Sequence, residues 1–175
     1  MNPVEIAALD ALDLLVVVDN ESDTLSGFFF VSGQIERVTS YEAGFVGHHT
    51  VRDGHVVPDP LILDERFLAA RVRGRGVSVL SSCSHAGVVN AALGALSAFG
   101  GEPIDVILGG YHLAGEGMEP RIEPTLHDLA NRIKPRVVAP GHCTGWRAKE
   151  ALAACICAGK YGPSVVGSLC ALRAT

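Results

Sequence analysis

The second half of the chain repeats one local pattern, a short apolar strand followed by a turn and then a helix. Apolar runs of strand length alternate there with segments of helical apolar spacing. The predicted strands cover residues 77–81, 104–108 and 136–139, and the predicted helices cover 86–99, 124–133 and 146–158. Such alternation is typical of an α/β domain, in which parallel strands end at one edge of the sheet.

The first half is less regular. We predict a short helix near residue 4, strands over 11–18 and 28–31, and a long loop over 40–64. Residues 67–73 are predicted to pair with the strand at 77–81 as a hairpin, and a last strand is predicted over 165–169. With 175 residues, the chain is expected to form a single domain over 1–175, with a reduced N-terminal half (1–75) and an α/β half (76–175).

Three histidines follow the predicted parallel strands. His85 ends Ser-Ser-Cys-Ser-His, His112 ends Gly-Gly-Tyr-His, and His142 lies in Pro-Gly-His-Cys-Thr-Gly. Side chains at equivalent strand ends meet on one rim, and imidazole is the commonest metal ligand in proteins. We therefore predict that the three histidines lie together as candidate metal ligands.

The turn before the helix at 86–99 is a second candidate site. Its backbone N–H groups and the positive end of the helix suit an anion. A small anion is therefore an expected ligand, with Ser84 at the start of this helix and Gly145 at the start of the helix over 146–158.

Composition excludes other classes of partner. The net charge is −5 and no large basic cluster occurs, which argues against nucleic acid. No apolar stretch reaches 18 residues, so no membrane span is expected, and the five irregularly spaced cysteines favour a reducing, cytoplasmic location. Cys83 and Cys143 flank the rim histidines, whereas Cys155, Cys157 and Cys170 are predicted to be buried and unpaired.

Three ordered motifs resemble the metallo-β-lactamase superfamily, and within it the branch of dihydropterin ribofuranosylaminobenzene-phosphate synthases. They are Cys-Ser-His-Ala-Gly-Val-Val-Asn at 83–90, Gly-Gly-Tyr-His-Leu at 109–113, and Gly-His-Cys-Thr-Gly at 141–145. The resemblance implies an αββα sandwich and a metal-dependent hydrolase or transferase that acts on a phosphorylated, pterin-like or aminobenzene-ribose substrate. It also implies metal binding by His85, His112 and His142, with Ser84, Asn90, Cys143 and Thr144 as ligand-binding or supporting residues.

One departure from the family pattern changes this expectation. The His-x-His-x-Asp-His motif, which supplies most ligands of the family's two metal ions, does not occur in the sequence. The resemblance therefore implies a truncated sandwich whose C-terminal half is complete and whose dinuclear site is incomplete. Zinc or manganese binding is expected to be weak or absent.

Three interpretations remain open at this point. The chain is a residual metalloenzyme, an inactive family member that binds a small anion, or a fragment that folds poorly. Metal content and turnover distinguish the first two.

Overall fold

The computed structural model describes residues 23–25 and 29–175. The predicted helix near residue 4 and the strand over 11–18 lie outside these residues. The strands are β1 (Asp23–Leu25), β2 (Phe29–Val31), β3 (His49–Arg52), β4 (His55–Pro58), β5 (Phe67–Val72), β6 (Gly76–Ser81), β7 (Ile104–Gly109) and β8 (Val137–Pro140). The α-helices are α1 (Val88–Ala98), α2 (Ile122–Asp128) and α3 (Trp146–Cys155), with short 3₁₀ turns at Glu119–Arg121 and His142–Thr144 and a π-helical turn at Leu129–Ile133.

Six strands form one mixed sheet in the order β1-β2-β5-β6-β7-β8. The pairs from β1 to β6 are antiparallel, whereas β6, β7 and β8 are mutually parallel. The parallel part is connected through α1 and α2, as the repeated strand–helix pattern predicted. The α/β class is therefore confirmed.

The predicted loop over 40–64 contains a separate hairpin of β3 and β4. Its two-residue turn is Asp53-Gly54, and both residues have positive φ, at 51° and 77°. Asp-Gly is a strong signal for this kind of turn because aspartate and glycine tolerate the left-handed conformation. The prediction of a continuous loop was wrong at this point.

The core lies between the sheet and its helices. Helix α1 buries Val88, Val89 and several alanines against the strands, and Val79 and Ile107 are fully buried within the sheet. The alanines allow close approach of helix and sheet. Helix α1 ends at Ala98 and is followed by Gly100 (φ 64°), and the N–H of Gly101 bonds to the carbonyl oxygen of Leu96 at 2.7 Å.

The C-terminal segment differs from prediction. No strand forms over 165–169 in the described chain, because residues 160–164 occupy the free edge of β8 instead, with N–H···O bonds at Val138 and Ser164. Val166 is fully exposed. Cys155, Cys157 and Cys170 are free, as predicted, but exposed, so their predicted burial was wrong. The apolar neighbours of these cysteines do not fix which side of the segment faces the core.

None of the helices in the described residues is long and apolar enough to cross a membrane.

Candidate metal centre

The register of the parallel strands builds the site. Ser81 of β6 pairs with Gly109 of β7, which in turn pairs with Pro140 of β8, so the three strands end side by side. A Cβ on Gly109 would overlap the Ser81 backbone, and its φ of 140° is unfavourable for other residues. The segments that leave this row form one rim, which we call the histidine rim.

The three predicted histidines lie on this rim. The rings of His85 and His112 meet edge to face with centroids 4.5 Å apart. A Cβ on Gly110, two residues before His112, would lie 2.8 Å from Cε1 of His142, so this imidazole packs over the same backbone. The predicted placement of the three histidines on one rim is confirmed, while metal binding by these residues stays a prediction.

Backbone strain accompanies the rim. Ser84 and His112 have positive φ values of 60° and 48°. Left-handed backbone costs a non-glycine residue free energy, and such strain is concentrated at functional sites. The surrounding structure therefore holds both residues where an unconstrained chain would not place them.

Two cysteines and His112 form a compact cluster on the rim. The sulfur of Cys83 lies 3.1 Å from the sulfur of Cys143 and 3.4 Å from Nδ1 of His112. The backbone N–H of His112 donates to the Cys143 sulfur at 3.2 Å. Ligand atoms of these three half-buried residues all lie within 4.8 Å of one another. Among the described residues, this is the one such group of three or more metal-ligating side chains.

Burial shifts the pKa values of Cys83 and His112 in opposite directions. Burial raises the pKa of the Cys83 thiol to about 12, and its hydrogen bond with Cys143 adds to this effect. Burial also lowers the pKa of His112, and the basic side chains of His85, Arg121 and His142 lower it further, while Glu65 opposes them. Burial and the neighbouring basic groups therefore both favour the neutral form of His112 over the imidazolium. Its Nε2 is buried and has no hydrogen-bond partner among the described residues.

Glu65 is a rim residue that sequence reasoning missed. Its buried carboxylate accepts hydrogen bonds from the N–H groups of His85 at 3.0 Å and Ala86 at 2.6 Å, and from the Ser82 hydroxyl at 3.3 Å. It also lies 3.7 Å from Nδ1 of His85. The N–H groups that were predicted to bind an external anion are thus occupied by an internal carboxylate. Glu65 precedes β5 and is far from this turn in sequence, so no local signal reveals the contact.

Glu42 satisfies the next turn of α1 in the same way. Its carboxylate accepts from the N–H groups of Val89 and Asn90 at 2.9 and 2.8 Å, and from the Thr39 hydroxyl at 3.0 Å. Burial raises the pKa of Glu42, against the effect of these hydrogen bonds. Gly87 is required here, because a Cβ would overlap the Glu42 carboxylate.

Three of the predicted ligand-binding residues have internal partners. The Asn90 amide accepts from the N–H groups of Val38 and Thr39 and donates to the Ala86 carbonyl oxygen. Ser84 and Thr144 are also buried. Ser84 shares a hydroxyl–hydroxyl bond with Ser81 at 2.7 Å, and Thr144 accepts from the Tyr111 N–H at 3.2 Å. These contacts shape the rim, whereas Cys143, the fourth predicted residue, lies directly within it.

Two half-buried arginines lie near the rim. Nε and Nη1 of Arg37 are buried and have no hydrogen-bond partner among the described residues, and its Nη2 donates to the Leu61 carbonyl oxygen. Arg121 donates to the Gly44 carbonyl oxygen at 2.6 Å. Burial lowers the pKa of both guanidinium groups, while the charge of Glu42 raises it.

Comparison with known proteins assigns the class. No family model matches the chain. The crystal structure of a metal-dependent hydrolase of the β-lactamase superfamily superposes with a TM-score of 0.70 and 25% identity, over 85% of this chain and 55% of that one. The mixed sheet is therefore that of a metallo-β-lactamase-type fold, and the chain is similar to a member of that superfamily.

A sequence comparison identifies a second similar protein. The chain is 30% identical over 124 residues to the 7,8-dihydropterin-6-methyl-4-(beta-D-ribofuranosyl)-aminobenzene-5'-phosphate synthase of Methanocaldococcus jannaschii. The match covers 69% of this chain but 41% of that protein. The chain thus spans less than half the length of this relative and about half that of the solved structure.

Proposed function

We propose that this chain binds one transition-metal ion and a small phosphorylated molecule at the histidine rim, with little or no hydrolytic turnover. The observation that carries the proposal is the placement of His85, His112 and His142 on one rim, with the His85 and His112 rings in contact and His142 packed over Gly110. Zinc and manganese both suit such a site.

The electrostatics of the rim favour an anionic ligand. Arg121 and the two flanking histidines are close enough to lower the pKa of His112. Arg37 adds a second guanidinium whose Nε and Nη1 lack partners among the described residues. Guanidinium groups bind phosphate through paired N–H donors. A phosphate ester that bridges the metal ion and these arginines would satisfy groups that the protein leaves without partners.

The metal-ligating residues that the chain offers are too few for two ions and favour one. The sequence contains no His-x-His-x-Asp-His motif, and the earlier histidines lie at the hairpin, where His48 bonds to the Asp59 carbonyl oxygen at 3.0 Å. Hydrolysis in a two-metal site depends on ions that hold both the attacking and the leaving oxygens. The rim carboxylate, Glu65, is engaged by the N–H groups of His85 and Ala86, so a single ion there supports binding better than turnover.

Metal titration and activity assays test this proposal. Zinc or manganese is added to purified apo-protein, the bound metal is counted by elemental analysis, and phosphodiester and lactone substrates are assayed. We expect about one ion per chain, metal-dependent binding of inorganic phosphate, and no measurable turnover. His85→Ala and His142→Ala should weaken phosphate binding, whereas His127→Ala, an exposed histidine on α2, should not.

Two results would overturn the proposal. Metal-dependent turnover that His85→Ala and His142→Ala abolish would show that the rim is a working active site. Failure to bind any metal ion in a cooperatively folded protein would remove the metal-binding function itself.

A further inference from the structure

The cluster of Cys83, His112 and Cys143 has the donor atoms of a thiolate-rich metal site. Each residue comes from a different segment, and the three segments follow β6, β7 and β8 in turn. We propose that these three side chains bind a thiophilic ion of the zinc type as the metal site of this chain. This inference rests on the proposed function, since it names the ligands of the ion and the class of metal.

The distances are close to those of a formed site. In tetrahedral zinc, with Zn–S about 2.3 Å and Zn–N about 2.0 Å, two sulfurs lie about 3.8 Å apart and a sulfur and a nitrogen about 3.5 Å. The sulfur of Cys83 lies 3.4 Å from Nδ1 of His112 and 3.1 Å from the Cys143 sulfur. Opening the sulfur pair by less than about 1 Å would therefore admit the ion. The fourth position would remain for water or for the phosphorylated ligand.

The surroundings support thiolate ligation. The His112 N–H donates to the Cys143 sulfur at 3.2 Å and would stabilise a thiolate there. Among the described residues, Nδ1 of His112 has the Cys83 sulfur as its hydrogen-bond partner and Nε2 has none, so neither nitrogen is committed to a protein oxygen there. Gly110 makes this packing possible, because a Cβ there would lie 2.5 Å from the Cys143 sulfur.

Charge balance favours two cysteines and His112 as ligands over the three histidines. A divalent ion bound by three neutral imidazoles keeps two positive charges in a rim where Arg121 and the Glu65 carboxylate already offset each other. Two cysteine thiolates and one imidazole neutralise the same ion, which lowers the cost of placing it in a half-buried position. Binding releases the two thiol protons to solvent, and no electron transfer is involved.

Cobalt spectroscopy tests the ligand set directly. Co²⁺ is titrated into the reduced, full-length apo-protein, because a thiolate bound to cobalt produces a charge-transfer absorption that imidazole does not. We expect this absorption to saturate at about one ion per chain and to be displaced by Zn²⁺. Cys83→Ser and Cys143→Ser should each weaken binding by at least about 100-fold, since a direct ligand outweighs a supporting one. Cys155→Ser, an exposed cysteine at the end of α3, is the matched control and should bind as the wild type does.

The outcomes separate this inference from the proposed function. Cobalt bound by the wild type without thiolate absorption, and lost in His85→Ala and His142→Ala, would overturn the inference and leave a histidine-bound ion in place. No cobalt or zinc binding would overturn both. A Cys83–Cys143 disulfide that persists in the reduced protein would also overturn the inference. The wild-type spectrum shows whether a thiolate binds the ion, so it tests the inference even if a cysteine variant fails to fold.

Discussion

Replacement of Glu65 by alanine should remove the internal carboxylate that accepts hydrogen bonds from the turn before α1. Glu65 is 7% exposed and accepts from the N–H groups of His85 and Ala86 at 3.0 and 2.6 Å. The Ser82 hydroxyl donates a third, longer bond at 3.3 Å. In Glu65→Ala these donors lose their acceptor, and the turn that includes His85 loses its hydrogen bonds to residue 65.

The expected cost follows from the two backbone bonds. A hydrogen bond to a charged acceptor contributes about 1.5–3 kcal/mol, and water that enters the vacated space recovers part of it. We therefore expect the free energy of unfolding to fall by about 3 kcal/mol. For a domain of about 150–250 residues, each kcal/mol lowers Tm by about 2–4 °C, so Tm should fall by about 6–12 °C.

Thermal unfolding followed by circular dichroism measures this effect. Asp64→Ala is the matched control, because Asp64 is the exposed acidic neighbour of Glu65. Inorganic phosphate provides a second measurement. It should raise the Tm of Glu65→Ala, whose N–H groups are free to bind an anion, more than that of the wild type. Equal Tm values for the two variants, with no selective effect of phosphate, would refute the assigned role of Glu65.

Three further predictions test the framework of the rim. Gly110→Ala should destabilise the protein by about 1–3 kcal/mol, because its Cβ would lie 2.5 Å from the Cys143 sulfur, and urea denaturation measures this. Asn90→Ala should lower the free energy of unfolding by about 2–4 kcal/mol, because the Val38 and Thr39 N–H groups lose the side-chain oxygen to which they donate. Hydrogen exchange at these two amides should become faster, and unchanged exchange would contradict the contact. Because burial raises the pKa of Glu42 in the folded state, its contribution to stability should grow as pH falls toward the acidic range and be lost as pH rises through that raised pKa. Urea unfolding of wild type and Glu42→Gln should therefore show the free energy of unfolding of wild type rising relative to that of Glu42→Gln from neutral to mildly acidic pH. A difference in unfolding free energy that does not depend on pH would contradict this prediction.

The placement of the three histidines could be predicted from local sequence. A parallel strand and its following helix are encoded by nearby residues, and parallel neighbours end at one edge of the sheet. The Ser81–Gly109–Pro140 register then brings His85, His112 and His142 together without further information. Cys83 and Cys143 accompany the histidines because they are close neighbours in sequence.

Local sequence also contained one signal that was not used and one that misled. Asp53-Gly54 marks the β3–β4 hairpin inside the predicted loop. The apolar run at 165–169 has strand composition, but a strand needs a free edge, and residues 160–164 already occupy that of β8. Composition describes the propensity of a segment, whereas pairing depends on which edge remains available.

Only the tertiary structure decided how the rim is closed and which atoms can share a metal ion. Glu65 and Glu42 reach the start of α1 from positions 21 and 48 residues before their partners Ala86 and Asn90. Cys83 and Cys143, 60 residues apart, bring their sulfurs to 3.1 Å. Such contacts depend on side-chain direction and loop path after the sheet has formed, because hydrogen bonding and metal ligation require atomic distances that neither periodicity nor spacing along the chain specifies.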